Sequence, residues 1–189
     1  VQSALFLADW VSLKVDSVNE SIWKEVNRPH GRLKLEQVLS GMIEFAHNFT
    51  GRLVTETMLV SGLNEDEKSV SELVNFLNRL GPETAYIGLP IRPPCEDWVK
   101  IPEPIVINRV YQQFQEQLKN VELMGGIDPH PFVSGVSFEE ELLSTVAVHP
   151  LNEETVKKMP EKADPPWITV TRLVQENKLR QAKYMGEIY

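Results

Sequence analysis

Strand-like and helix-like patterns alternate along the first two thirds of the sequence, and this alternation constrains the fold more than any other feature. The strand-like patterns are mainly apolar and lie at residues 11–16, 51–61 and 84–91. The helix-like patterns lie at residues 20–27, 35–49, 69–80 and 104–118. Because a helix between two strands lets them run parallel, the sequence predicts a parallel sheet with right-handed crossovers.

Two local signals predict where the longer helices begin. Ser69 and Glu72 have the spacing of a capping box, which predicts a helix start at this point. Pro104 suits the first turn of the following helix, where its missing N–H is not needed. Three strand–helix units fit either an incomplete barrel or half of an open sheet. In both architectures the functional groups lie at the carboxyl ends of the strands.

The last third of the sequence has a different character. Glycines and prolines between Gly125 and Gly135 predict a linker. Three helix patterns follow, starting at Ser137, near Asn152 and at Asp164, and the chain ends on a hairpin pattern with a turn near Gly186. This order predicts a small winged-helix-like α+β domain at 129–189, after an α/β domain at 1–128.

Composition excludes several functional classes. Cys95 is the only cysteine, so this chain alone cannot build a disulfide framework or a multi-cysteine zinc or iron–sulfur site. The four histidines show no ligand spacing, and no metal is assigned to the chain. The net charge of -8 argues against general binding to nucleic-acid phosphates.

The ends of the sequence carry expectations of their own. It begins with Val1 rather than Met, and it stops at Tyr189 within a strand pattern, so we expect a piece of a longer protein. There is neither a signal-peptide pattern nor an apolar run long enough to span a bilayer. We therefore expect a cytoplasmic protein with no membrane partner; the pattern predicts neither the substrate nor the oligomeric state.

Several segments resemble the later half of radical S-adenosylmethionine (SAM) enzymes. They lie at 11–16, 27–30, 56–64, 89–96 and 148–150. The resemblance is to iron–sulfur oxidoreductases related to activating enzymes and to tRNA wyosine-synthesis enzymes. It implies a partial (β/α) barrel, of which this chain would carry strands four to six.

The resemblance also implies cofactors. Enzymes of this family use a [4Fe–4S] cluster to cleave SAM to a radical that abstracts hydrogen from a substrate. The cluster is held by a C-x-x-x-C-x-x-C loop, and a Gly-Gly-Glu stretch binds the SAM amino group. Both are absent from this sequence, so we expect them upstream of Val1 in the parent protein. The fragment alone is expected to be inactive.

There are four candidate cofactor-binding residues: Lys14 and Asp16 at the end of the first predicted strand, Glu56 in the middle of the second, and Asn64 in the loop beyond it. The resemblance implies that Lys14 reaches the SAM carboxylate, next to the candidate Asp16, and that Asn64 shapes the adenine edge. Relatives have arginine at the position of Glu56, so the acid departs from the pattern and could bind a ribose hydroxyl. The alternatives are an ion pair between neighbours for Lys14, Asp16 and Glu56, and a turn role for Asn64.

Arg92 is the candidate for substrate binding. Prolines on both sides stiffen the segment after the third strand pattern, and a rigid guanidinium suits a carboxylate or phosphate. Its partner could equally be Glu96 or Asp97. Cys95 is expected to be inert.

Two further functional hypotheses stay open. The tail is locally basic, which allows a ligand-responsive winged-helix regulator that binds nucleic acid. The acidic chain as a whole disfavours that hypothesis. The other is a non-radical α/β enzyme that uses Arg92 to hold an anionic ligand.

Overall fold

A computed structural model describes residues 2–124, 137–147, 150–157 and 166–189. Its contacts divide the chain into two compact units. Within the described residues, unit 1 comprises 2–90 and 96–124, and unit 2 comprises 91–95 and the residues from 137 onward. The predicted linker at 125–135 and the predicted boundary at 128/129 fall outside the described ranges.

Unit 1 is built on a four-stranded sheet, which confirms the predicted parallel α/β arrangement. Its strands are β1 (Trp10–Lys14), β2 (Arg52–Met58), β3 (Thr84–Gly88) and β4 (Val121–Met124), in the spatial order β1-β2-β3-β4. Every neighbouring pair is parallel. The sequence predicted three strands; β4 was missed because four residues are too short to show a strand period.

The helices of unit 1 are α1 (Gln2–Leu5), α2 (Glu20–Asn27), α3 (Leu35–Asn48), α4 (Glu67–Leu80) and α5 (Pro104–Gln117). Pro104 stands in the first turn of α5, as predicted. The predicted start of α4 was wrong: Asp66 is the N-cap, and its carboxylate accepts a hydrogen bond from the Ser69 backbone N–H at 3.0 Å. Ser69 is therefore inside the helix, as its third residue.

The core of unit 1 lies between the sheet and α3, α4 and α5. Val11, Leu53, Ala85 and Ile87, from the first three strands, point to the same face and join one buried cluster with the helices. The helical members of that cluster include Phe45, Leu77 and Phe114. Successive strands in order with their helices on one face are typical of barrel winding, whereas an open doubly wound sheet has a point where the strand order reverses. The structure thus favours the incomplete barrel.

Unit 2 contains three helices followed by a hairpin. The helices are α6 (Phe138–Val146), α7 (Glu153–Lys157) and α8 (Pro166–Gln175), and the hairpin strands are β5 (Lys183–Tyr184) and β6 (Glu187–Ile188). Met185 and Gly186 both have positive φ, as a tight type I′ hairpin turn requires. The predicted capping box of Ser137 and Glu140 is present, whereas the predicted helix start at Asp164 lies outside the described residues. The order of elements agrees with the prediction; the winged-helix assignment itself stays a prediction.

Leu142, Leu151, Val156, Val170 and Leu173 form the separate core of unit 2. Among the described residues of either unit, the helices are too short or too polar for one of them to cross a bilayer.

Candidate functional site

A buried carboxylate organises the carboxyl ends of β1 and β2. The Asp16 side chain is 0% exposed and accepts three hydrogen bonds. Its Oδ1 accepts from the Met58 backbone N–H at 2.7 Å and from Lys14 Nζ at 3.1 Å. Its Oδ2 accepts from Asn27 Nδ2 at 2.6 Å. A buried charge needs such partners because it has lost its hydration, and this arrangement fixes Lys14 and Asn27 relative to the sheet.

Asn64 ties the same two strand ends together. It is 2% exposed, and its side-chain amide makes three hydrogen bonds to backbone groups. Oδ1 accepts from Val60 N–H at 2.8 Å, and Nδ2 donates to the carbonyl oxygens of Asp16 and Met58, each at 2.9 Å. The bond to Asp16 reaches the segment after β1, and the other two hold the end of β2 and the residues that follow it. Asn64, for which a turn role was one alternative, is therefore a buried residue that links backbone segments. Contact between Asn64 and a cofactor stays a prediction.

A row of polar residues crosses the face of the sheet opposite to the helical core. Lys14, Glu56, Tyr86 and Glu122 are register partners on β1 to β4, so their side chains point to the same side. We call these four residues the polar row. Glu56 and Tyr86 are half-buried, and Lys14 and Glu122 are exposed. The polar row thus presents groups of both charges and a phenol on one surface.

Glu56 has a partner that the sequence analysis did not consider. Its Oε1 accepts a hydrogen bond from Ser12 Oγ at 2.7 Å. Lys14 was one predicted partner of Glu56, but it forms an ion pair with Asp16 instead. The Lys14 side chain remains 50% exposed, so its ammonium can still meet a ligand while one side of it faces Asp16.

An apolar row lies beside the polar row, two residues further along each strand toward its carboxyl end. Met58, Gly88 and Met124 are register partners on β2, β3 and β4. A Cβ atom at Gly88 would lie 3.5 Å from Met124 Cε and 3.7 Å from Met58 Cε, so the two thioethers flank the glycine. The surface is therefore divided into a polar and an apolar strip, which suits a ligand with a flat apolar part and a polar part.

Arg92 falls in unit 2 and is half-buried. Burial raises the pKa of Tyr189, and the positive charge of Arg92 opposes that rise, which places the two side chains near each other. Glu96, one predicted partner of Arg92, forms an ion pair with Arg28 at 2.7 Å. Cys95 is exposed.

The structure also bears on metal and cluster binding. No group of three or more His, Cys, Asp or Glu side chains in the described ranges is arranged to hold a metal ion. One exposed cysteine cannot supply the three thiolates of a C-x-x-x-C-x-x-C loop. The described residues therefore do not fit a [4Fe–4S] cluster.

Sequence reasoning missed three residues of this region. Ser12 stands two positions before Lys14 on the same face of β1, and the strand period could have identified it. Tyr86 could have been found from the register only once β3 was aligned with β2. Asn27 comes from α2, and no local pattern indicates that its amide reaches back to Asp16.

Unit 2 contains a cavity of about 420 Å³ with mainly apolar walls. Its walls come from α6, α7, α8 and the hairpin and include Leu142, Val156, Trp167 and Val170. Cations nearby are already engaged: Arg172 pairs with Glu139 and Glu176, and Lys178 lies 2.8 Å from Glu176. These pairs hold the pKa of Glu176 below its ordinary value. Arg172 on α8 is thus paired with carboxylates while 45% of its side chain stays exposed, and the nucleic-acid hypothesis stays a prediction.

Comparison with known proteins identifies relatives of both sequence and fold. No family model matches the chain. The chain is 37% identical over 191 residues to UPF0026 protein MJ1312 of Methanocaldococcus jannaschii. This alignment covers all of the chain but 60% of that protein, so the chain is shorter than its relative.

Two solved structures share the fold. One is a domain of pyruvate-formate lyase-activating enzyme from Bacteroides vulgatus, with a TM-score of 0.53, 16% identity, and coverage of 66% of this chain and 73% of that one. The other is a radical SAM methyltransferase from Sphaerobacter thermophilus, with a TM-score of 0.52, 18% identity, and coverage of 68% and 38%. The parallel sheet matches part of a radical SAM barrel. At these identities the likeness is one of fold, and these relatives do not single out the tRNA wyosine-synthesis enzymes.

Proposed function

We propose that this chain is the carboxyl-terminal part of a radical SAM enzyme and that the polar row and the apolar row form part of its SAM-binding surface. The observation that carries the proposal is the position of these rows. They lie at the carboxyl half of a singly wound parallel sheet, on the face opposite to the helices, where a (β/α) barrel binds its ligands. The likeness of the fold to two radical SAM enzymes supports it.

The residues divide into those that contact the ligand and those that position them. Lys14 is the candidate for the SAM carboxylate because its ammonium is half-exposed and held by Asp16. Glu56 is the candidate for a ribose hydroxyl, since a carboxylate with one oxygen on Ser12 can accept further hydrogen bonds. Asp16 and Asn64 are positioning residues, because their side chains are buried in bonds to this chain.

The apolar row is the candidate surface for the adenine ring. Thioethers make favourable contacts with aromatic rings, and the methyl ends of Met58 and Met124 come together beside the buried Gly88. Arg92 remains the candidate for an anionic group of the substrate, on the strength of the proline-rich segment that carries it.

The iron–sulfur chemistry would come from the rest of the parent protein. The described residues do not fit the cluster, so its cysteines would have to lie in a segment that this sequence does not contain. In the parent protein, the cluster and SAM together would supply the hydrogen-abstraction chemistry. We therefore expect the present chain to bind at most part of the cofactor and to be inactive by itself.

The first experiment uses the longer parent protein, purified without oxygen. We expect iron and sulfide in the ratio of a [4Fe–4S] cluster and a visible absorption spectrum that changes when SAM is added. A parent protein that remains colourless and free of iron after reconstitution would overturn the proposal. In that case binding of phosphate or carboxylate ligands would favour the non-radical enzyme, and salt-dependent binding to DNA or RNA would favour the regulator.

A second experiment tests the role of Lys14 in the same protein. Lys14→Met keeps the length of the side chain and removes the charge. Loss of a charge-assisted hydrogen bond predicts SAM binding weaker by about 10- to 100-fold, measured by calorimetry. Lys68→Met is the matched control, because Lys68 lies on α4 and is largely exposed. Equal SAM affinity in the two variants would remove Lys14 from the site.

A further inference from the structure

The cavity of unit 2 has the size of a small-molecule site. Its volume of about 420 Å³ lies within the range of roughly 300–1,000 Å³ that is typical of ligand pockets. A stable contact with another protein instead needs a broad surface, about 800 Å² on each partner. The volume therefore favours a small molecule over a peptide or a second protein as the occupant.

The cavity has a buried floor and an open mouth. Its floor includes four side chains of the unit 2 core, namely Leu142, Leu151, Val156 and Val170. Trp167 and Ile188 also line the cavity, and they are 36% and 42% exposed. Residues that line a cavity and also meet solvent lie at its mouth. Apolar surface thus continues from the floor to the mouth, and a ligand that fills the cavity would remove this surface from water.

Hydrogen bonds hold the hairpin wall of the cavity in place. Ala182 and Tyr189 exchange two backbone hydrogen bonds, both at 2.8 Å, and Tyr189 Oη donates to the Ile91 carbonyl at 3.0 Å. Asn152 Nδ2 donates to Glu187 Oε2 at 2.8 Å, which joins the hairpin to the start of α7. Because the wall is fixed by the protein's own bonds, the cavity is a preformed space, as ligand pockets usually are.

The charged residues that line the cavity differ in whether their charge is balanced. Among the described residues they are Glu153, Lys178 and Arg180. Glu153 forms an ion pair with Lys157, and Lys178 forms one with Glu176. Arg180 takes part in none of the ion pairs between described residues, and it is exposed, so it lies at the mouth. An arginine without a carboxylate partner is suited to an anionic group of a ligand.

We infer that the cavity of unit 2 binds a small amphiphile with a single anionic head, such as a medium-chain carboxylate. Its apolar body lies on the floor, and its head lies beside Arg180. Burial of apolar surface supplies most of the affinity, because the floor is aliphatic. The guanidinium selects for the anion through a charge-assisted hydrogen bond. This inference concerns unit 2 by itself and does not rest on the proposed function.

Calorimetric titration of the full chain tests the cavity, with decanoate as the probe and decanol as its uncharged counterpart. We expect one decanoate per chain, bound about 3-fold or more tighter than decanol, because only the carboxylate pairs with Arg180. Val174→Phe enlarges a half-buried side chain in the α8 wall and should weaken decanoate binding by about 10-fold or more. Gln175→Phe is the matched control, because Gln175 is the next residue of α8, is exposed and does not line the cavity.

Arg180→Gln tests the position of the anionic head. It should weaken decanoate binding about 3- to 10-fold and leave decanol binding unchanged, since a charge pair at an exposed mouth is partly screened by water. Raising the salt concentration should likewise reduce the advantage of decanoate over decanol. Lys183→Gln is the matched control, because Lys183 is an exposed cation of β5 that does not line the cavity.

Several results would overturn the inference. Absence of saturable decanoate binding would do so, as would equal losses in Val174→Phe and Gln175→Phe. Decanol bound as tightly as decanoate, or an unchanged preference for decanoate in Arg180→Gln, would overturn the anionic class.

A second copy of the chain is the other occupant that the experiments test. If decanoate does not bind, and Val174→Phe but not Gln175→Phe abolishes a dimer in analytical ultracentrifugation, the cavity belongs to a contact between two copies. Circular dichroism checks the fold of each variant. If Val174→Phe does not fold, the comparison of Arg180→Gln with Lys183→Gln decides, since both residues are exposed.

Discussion

Replacing Asn64 by alanine tests whether the buried amide holds the ends of β1 and β2 together. The substitution removes three hydrogen bonds and leaves the Val60 N–H and the carbonyl groups of Asp16 and Met58 without this partner. A buried polar group left unpaired costs about 1–3 kcal/mol, and carbonyl oxygens recover part of this loss through other contacts. We expect the free energy of unfolding to fall by about 3–5 kcal/mol, at the upper end of single substitutions.

The assay is equilibrium unfolding in urea, followed by circular dichroism. Asn48→Ala is the matched control, since the side chain of the exposed Asn48 donates a hydrogen bond to the Glu44 carbonyl at 2.8 Å. That variant should change the free energy of unfolding by less than about 1 kcal/mol. Asn64→Asp keeps the acceptor for Val60 but turns a second oxygen toward two carbonyls, so it should also destabilise. A loss below about 1 kcal/mol in Asn64→Ala would refute the reasoning.

Three further predictions concern the scaffold, each read out as the change in free energy of unfolding in urea. Gly51→Ala should cost about 1–3 kcal/mol because its Cβ would lie 2.8 Å from the Asp9 carbonyl, whereas Gly31→Ala, with nothing within 4 Å, should be near neutral. Phe114→Ala should cost about 3–5 kcal/mol because the ring is fully buried, and a smaller loss would mean that the core collapses around the cavity. Asp66→Ala should cost about 1 kcal/mol at neutral pH through loss of the N-cap. Hydrogen bonds from Ser69 lower the pKa of Asp66 below its ordinary value, so its contribution is full above that ordinary pKa and is lost as the pH falls through the lowered one; a cost that stayed the same as the pH was lowered would contradict this.

The sequence predicted the fold of unit 1 well because long apolar periodicities determine it. Residues 20–27 and 35–49 were predicted as helices, and α2 and α3 lie at Glu20–Asn27 and Leu35–Asn48. The errors arose where several local solutions satisfy the same pattern. Ser69 and Glu72 have capping-box spacing, yet Asp66 three residues earlier caps the helix, because the backbone can satisfy only one register. Similarly, Val121–Met124 forms a strand because it pairs with β3, whereas its own residues show no strand period.

The position of the candidate residues in the fold could be predicted from the sequence, whereas their contacts could not. Parallel strands end at one edge, so residues near the ends of β1 and β2 were expected to meet, and Asp16 and Asn64 do. Which polar groups form hydrogen bonds with each other depends on how far each side chain extends in the folded protein. Asn27 reaches Asp16 from a helix eleven residues later, which a strand pattern cannot indicate. The strand period places Ser12 on the same face as Lys14, but it does not show that Ser12 donates to Glu56.

The buried residues of this site are the least suitable ones for testing its function. Asp16 and Asn64 hold backbone groups in place, so replacing either would weaken ligand binding through loss of structure whether or not it touches a ligand. Lys14 and Glu56 differ because their side chains are partly exposed, and among the described residues each makes a single side-chain hydrogen bond. A variant of Lys14 that loses SAM affinity while its free energy of unfolding stays within about 1 kcal/mol of the parent value would therefore separate binding from folding. A parallel loss of both would assign the Lys14–Asp16 pair to the scaffold.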